Sequence, residues 1–162
     1  MKLKFCTVLF VFLLVAYSAM PASEDGVAKS PVSNATELFL PFDNPNNGKN
    51  PPSYAARSRE VNVDIGALID GLNAGGFQTL GLNFFKDARF IIKRNKQITN
   101  VESGNVTWLG TMPSETNSLA ILVISPNGIE GSLNVPSVGF FTVRKAQNGN
   151  HVVEEIKRSA IP

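Results

Sequence analysis

The sequence predicts a mainly β protein: an antiparallel meander of roughly eight strands with one short helix, forming a β-sandwich or an open barrel. Short apolar or alternating runs recur between residues 57 and 156. They are rich in strand formers, and most are too short for a typical helix. Turn signals containing Gly, Asn or Pro separate these runs. Only 65–72 places apolar residues at helical spacing.

The clearest hairpin signal lies between the apolar run at 119–124 and the alternating run at 129–135. Pro126 and Asn127 suit the two central positions of a type I turn. Gly128 can adopt the positive φ angle that a bulged hairpin then requires. We therefore predict two antiparallel strands joined at this turn.

A second hairpin is predicted for 140–156, around Asn148-Gly149, because this dipeptide is the strongest signal for a two-residue connection. Such a connection places four apolar residues on one face of the sheet: Phe141, Val143, Val152 and Ile156.

The elements before these hairpins follow in order. Residues 57–63 alternate and predict the first strand of the main domain. Asp64 can cap the helix that follows, which Gly75-Gly76 ends. Two further alternating runs, 80–84 and 90–101, predict strands before that of Trp108.

The chain begins with a predicted secretory signal peptide at 1–22: Lys2 and Lys4, an apolar run at 5–16, then small residues. We expect a secreted or periplasmic protein. The only cysteine, Cys6, would be removed with this segment, so no disulfide is expected.

Residues 23–56 predict a flexible tail rich in Pro and Asn, followed by a β-rich domain at 57–162. The apolar segment 37–42 is the exception within the tail. It either docks as an edge strand or forms a loose apolar patch.

Charge excludes two classes of partner. Lys2 and Lys4 are two of the 15 basic residues, and the 13 that remain equal the 13 acidic residues. A balanced, interspersed charge argues against nucleic-acid binding and against a membrane-binding basic patch after signal removal.

No catalytic, cofactor-binding or metal-binding residue is predicted, so we do not expect an enzyme. The chain has no H-E-x-x-H or G-x-S-x-G motif, and its single histidine is His151. We interpret His151 as a half-exposed strand residue, with an interface or ligand role as the alternative, and Trp108 as a core anchor, with a stacking platform as the alternative. Glu154 and Glu155 are interpreted as solvated charges.

A string of spaced residues runs through 105–155: Trp108, Gly110, Ser118, Gly128, Gly131, Phe141 and His151. This string resembles the pro-regions of secreted zinc metallopeptidases, of the peptidyl-Asp metalloendopeptidase and reprolysin (adamalysin) types. In those regions an aromatic-x-Gly, a Ser before an apolar strand and Gly-x-x-Gly hairpin, and a final His-x-Val strand recur. The resemblance spans roughly 59–162, without the catalytic domain.

The resemblance implies a non-catalytic domain that holds a metallopeptidase latent, with these seven residues mostly structural. Some family members ligate the zinc with a cysteine that this sequence lacks, so it implies inhibition by surface occlusion. The chain stops about where the family's linker to the catalytic domain would begin. The partner expected is a secreted zinc metallopeptidase.

The alternative function is a secreted β-sandwich module that binds a ligand, or a structural envelope protein. Exposed aromatic residues on one sheet face would favour this alternative. The sequence leaves the oligomeric state open.

Overall fold

The computed structural model describes residues 35–42 and 50–161. These residues form one nine-stranded sheet curled into a half-barrel. In chain order the strands are β1 (Thr36–Glu37), β2 (Ala55–Val61), β3 (Thr79–Phe85), β4 (Ala88–Asn100), β5 (Asn105–Met112), β6 (Glu115–Ser125), β7 (Gly128–Val135), β8 (Gly139–Lys145) and β9 (His151–Ile156). Helix α1 (Ile65–Asn73) lies between β2 and β3, and a 3-10 turn at Arg158–Ala160 follows β9.

The predicted fold class is confirmed: within residues 35–42 and 50–161, 59% of the residues are in strands and 10% in helices. Of the two architectures left open by the sequence, the open barrel is observed, because the strands form one continuous sheet. Their order is β1-β3-β4-β5-β6-β7-β8-β9-β2, and every pair is antiparallel except β1 with β3.

The first predicted hairpin is confirmed in β6 and β7. Ser125 pairs with Gly128 across a two-residue connection, Pro126-Asn127. Gly128 has a φ of 149°, a positive angle that residues with a side chain rarely adopt.

The predicted register of the second hairpin is wrong by one residue. Phe141 pairs with Glu155 and Val143 with Val153, so neither shares a face with Val152 or Ile156. The reason lies in the turn, where the N–H of Ala146 donates to the carbonyl of Asn150. Three residues therefore connect the strands instead of two, and the last, Gly149, has a positive φ of 88°.

Helix α1 forms where the sequence predicts it. The Asp64 carboxylate accepts a hydrogen bond from the backbone N–H of Ala67 at 2.9 Å, which caps the first turn. Leu68 and Leu72 are buried on one face of the helix and join the core of the sheet. Nine residues are too few for a stable isolated helix, so this packing holds it in place.

The core fills the inner face of the half-barrel. Four phenylalanine rings form a cluster within this core. The ring centroid of Phe141 lies 5.1 Å from that of Phe84 and 5.1 Å from that of Phe90, and the centroids of Phe84 and Phe90 are 6.4 Å apart. Phe39 joins this cluster from outside the meander, with its ring centroid 5.1 Å from that of Phe84.

Residues 36–40, which we call the strap, link the two ends of the sheet. The N–H of Leu38 donates to the carbonyl of Gly81 in β3 at 2.9 Å. Two residues later Leu40 exchanges backbone hydrogen bonds with Asn62, which directly follows β2. Of the two alternatives for 37–42, docking against the sheet is therefore the one observed.

The gap between β2 and β3, which we call the seam, is also crossed by an arginine. Arg59 lies on the same face of β2 as the buried Val61. Its guanidinium donates from Nε to the carbonyl of Phe84 at 2.5 Å and from Nη2 to the carbonyl of Asn83 at 2.6 Å. This side chain satisfies strand carbonyls that no neighbouring strand reaches.

Two predicted segments lie largely outside the described residues. The signal peptide at 1–22 is entirely outside them, as is most of the predicted tail at 23–56.

Trp108 provides a test of the core. Its side chain is fully buried, and Nε1 donates to the carbonyl of Phe77 at 3.3 Å. Trp108→Ala should lower the free energy of unfolding by about 3–5 kcal/mol, the usual range for a large buried aromatic. Urea unfolding followed by circular dichroism measures this, with Trp108→Phe as the milder control. Tryptophan emission typical of a water-exposed indole in the wild type would contradict the placement.

Candidate functional site

The first three residues of the motif string hold β5 and β6 in place. Trp108 and Ser118 are buried, and the Ser118 hydroxyl accepts a hydrogen bond from the N–H of Met112 at 2.7 Å. A Cβ atom on Gly110 would lie 2.5 Å from the carbonyl oxygen of Lys93, so only glycine fits between these strands. All three positions therefore serve packing.

The other four motif residues, in β7–β9, are also in close contact with neighbouring strands or core side chains. A Cβ atom on Gly131 would overlap the carbonyl oxygen of Ile121. One on Gly128 would lie 2.9 Å from Nε2 of His151. Phe141 is fully buried in the aromatic cluster. The structure thus places the motif string in the core of β5–β9, spread over several strands.

His151 is buried, with 4% of its surface exposed, so its interpretation as half-exposed is wrong. It lies against the first hairpin, where its Nε2 accepts a hydrogen bond from the N–H of Ile129 at 3.1 Å. Burial lowers the pKa of His151, the charge of Lys145 lowers it further, and Glu130 opposes the shift. A neutral imidazole is what this hydrogen bond requires.

Glu154 is likewise buried, at 2% exposure, so its interpretation as a solvated charge is wrong. The guanidinium of Arg144 donates to both carboxylate oxygens, at 3.0 and 3.2 Å, and the Tyr54 hydroxyl lies 3.3 Å from one of them. The partners come from β8 and from the residue before β2, which local sequence does not reveal.

The outer face of the sheet carries an exposed aliphatic cluster, which we call the outer patch: Ile98, Leu109, Leu119, Ile121 and Val123. Leu109 pairs directly with Ile121 across β5 and β6. Leu109 is half-buried, and the exposed fraction of the other four runs from 36% for Ile121 to 48% for Ile98. Neighbouring aliphatic side chains on adjacent strands make this a continuous apolar surface.

A cleft of about 460 Å³, which we call the seam cleft, opens beside the seam. Its charged lining residues are Glu37, Arg57, Arg59, Lys86, Asp87 and Arg89. Its apolar lining comes from Phe39, Pro41 and Phe85. The cleft therefore combines a surplus of positive charge with apolar walls.

Two arginines of the seam cleft are paired with carboxylates. Arg57 lies 2.7 Å from Asp87 and 2.7 Å from Glu155, and Arg89 lies 3.0 Å from Glu37. The hydrogen bond from Arg57 lowers the pKa of Asp87. These pairs leave less of the cleft's positive charge available to a ligand.

Arg59 differs from its neighbours. No carboxylate of the described residues forms an ion pair with it. Burial lowers the pKa of Arg59, the nearby charge of Arg89 lowers it further, and Glu37 opposes the shift. The sequence did not predict that Arg59 lies without a carboxylate partner, since Arg59 is simply one polar position of an alternating strand.

Within residues 35–42 and 50–161, no group of three or more His, Cys, Asp or Glu side chains could hold a metal ion. The same part of the chain has no helix long and apolar enough to cross a membrane.

The buried histidine predicts a pH dependence of stability. Because the pKa of His151 is lower in the folded protein, the unfolded chain takes up the proton first as pH falls. Stability should be greatest above the ordinary histidine pKa of about 6.5 and fall as pH drops below it. Urea midpoints between about pH 7.5 and about pH 5.5 measure this.

His151→Leu is the control, since the chain has no other histidine. The variant should lose most of the slope in this range. An equal slope in both proteins would show that His151 does not set it.

Comparisons of this chain with protein-family models, curated proteins and solved structures find no match. The resemblance to metallopeptidase pro-regions therefore rests on the seven motif positions.

Proposed function

We propose that this chain is an exported, non-catalytic domain that binds a secreted zinc metallopeptidase and blocks access to it through the outer patch. The observation that carries the proposal is β6, which is apolar on both faces. Ala120, Leu122 and Ile124 are fully buried in the core, whereas Leu119 and Val123 on the opposite face are about two-fifths exposed. An exposed apolar patch with a polar rim is typical of a protein interaction site.

The surroundings of the outer patch suit a protein partner. Glu130 pairs with Val123, Lys96 with Leu109, and Asn134 with Leu119, so polar residues frame the aliphatic centre. An uncharged apolar centre within a polar rim is the usual arrangement of a protein–protein interface. This favours a folded protein surface over a highly charged ligand at this place.

A sheet edge is the other route by which such a domain can bind a peptidase. The edge of β3 is already occupied, since Leu38 bonds to Gly81, and Arg59 bonds to Asn83 and Phe84. An added strand would have to displace these contacts. The outer patch needs no such rearrangement, so it is the better candidate.

The choice of a zinc metallopeptidase follows from the resemblance of the motif string, and export follows from the predicted signal peptide. Blocking a peptidase by covering its surface requires no catalytic or metal-binding group in this chain. The motif residues contribute by holding β5–β9 in the shape that displays the outer patch.

The test is titration of the purified protein into secreted zinc metallopeptidases of its source organism, with complex formation and peptide hydrolysis both measured. Ile121→Asp should weaken binding at least about tenfold, because a carboxylate would be buried without a partner in the interface. Ile91→Asp is the matched control. Ile91 has similar exposure, 38% against 36%, but lies outside the outer patch.

We expect the control to bind within about twofold of the wild type, since a surface change away from an interface has little effect. If neither binding nor slower hydrolysis occurs at micromolar protein, the peptidase proposal fails. If both variants weaken binding equally, the outer patch is not the contact surface.

The alternative function, a ligand-binding module, is favoured by a separate observation. This is the seam cleft, which combines positively charged side chains with apolar walls.

A further inference from the structure

Two cations of the seam cleft have no ion-pair partner among the described residues. Four of its lining residues are positive and two are negative. Arg57 and Arg89 form ion pairs, whereas Arg59 and Lys86 form none within the described residues. Glu155 also pairs with Arg57 from outside the lining, so four positive and three negative side chains leave a net charge of one positive, and the cations without an ion pair are these last two.

Arg59 is preorganised to receive an anion. An arginine has five N–H donors, and here Nε and Nη2 donate to the backbone carbonyls of Phe84 and Asn83. These two bonds fix the plane of the guanidinium without neutralising it. Both N–H groups of Nη1 and the second N–H of Nη2 donate to no group of the described residues, and together they offer a carboxylate a two-point contact. A fixed guanidinium loses little entropy when it binds a carboxylate.

The walls of the seam cleft favour an anion that also carries an apolar group. Phe85 is half-buried, and the guanidinium carbon of Arg57 lies 4.1 Å from its ring centroid. Pro41 is exposed beside it and lines the same cleft. Arg57 covers one face of the Phe85 ring, so an apolar group can pack against the part of this ring that remains exposed and against Pro41 while its charged end approaches Arg59.

We propose that the seam cleft binds a small organic carboxylate, with the carboxylate between Arg59 and Lys86 and a flat apolar body against Phe85 and Pro41. The volume of about 460 Å³ lies within the range of small-molecule sites. Glu37 and Asp87 also line the cleft and repel ligands of higher negative charge. The ligand expected is thus a monocarboxylate.

This site is separate from the outer patch, which lies on β4–β6. A failure of the carboxylate proposal leaves the peptidase proposal untouched, and the converse also holds.

The probe is 2-naphthoate, compared with the neutral 2-naphthamide and with inorganic phosphate, at low salt and followed by backbone amide NMR shifts. Naphthoate should shift amides around Phe85 and Lys86 and bind at least about tenfold more tightly than naphthamide, because a charge-assisted hydrogen bond is lost in the amide. Phosphate should bind more weakly than naphthoate, since it has no apolar body.

Lys86→Gln should weaken naphthoate binding about threefold to fivefold, the effect of losing one exposed charge. Lys93→Gln is the matched control, since Lys93 is an exposed lysine on β4 outside the cleft. Arg59→Gln should weaken binding more than tenfold, about the loss of a charged bidentate contact. Hydrogen exchange of the amides of residues 38–40, which line or adjoin the cleft, reports whether that variant keeps the cleft, and the two lysine variants decide the question if it does not.

Several results would overturn the proposal. Equal affinity for naphthoate and naphthamide would show that charge is not recognised. Tighter binding of phosphate would show that the site is not selective for a carboxylate. Equal effects of the two lysine substitutions, or shifts confined to amides away from the cleft, would show that the ligand binds elsewhere.

Discussion

The guanidinium of Arg59 joins β2 to β3. At this place the curled sheet brings its two ends close together, but no strand ladder of the described residues pairs β2 with β3. Two backbone carbonyls of β3 accept its hydrogen bonds, at 2.5 and 2.6 Å. The strap completes the closure by bonding to β3 through Leu38 and to the end of β2 through Leu40. With the seam held, the inner face excludes water, and the aromatic cluster around Phe84 can pack tightly.

The two candidate binding surfaces both follow from this closure. At the seam, side chains replace a strand ladder, and the space between them is the seam cleft with the unpaired charge of Arg59. On the far side, curling the sheet turns the second apolar face of β6 outward, and that face is the outer patch. One surface suits a small carboxylate and the other a protein. Neither requires catalytic groups.

Local features of this fold could be predicted from the sequence, whereas distant contacts could not. The Pro126-Asn127 turn and the Asp64 cap depend only on residues adjacent in the sequence, so the local sequence is enough to predict them. The pairing of β2 with β9 joins residues about a hundred positions apart, for which no local pattern exists. The burial of Glu154 and the contact of Arg59 with β3 depend on such pairings. The register of the second hairpin was predicted wrongly because Asn148-Gly149 is compatible with a three-residue connection as well as with a two-residue one.

Hydrogen exchange of the strap amides tests the central claim, that Arg59 and the strap hold the seam together. The N–H groups of Leu38, Phe39 and Leu40 donate to the carbonyl of Gly81, the Asn83 side chain and the carbonyl of Asn62. In the wild type all three should be protected. In Arg59→Gln they should lose protection together, while amides between β6 and β7 keep theirs. Arg89→Gln removes an exposed ion pair to Glu37 of the strap, which contributes little in water, and should leave these amides protected. Strap amides that exchange as fast as unfolded peptide in the wild type, or that are unaffected by Arg59→Gln, would contradict the account.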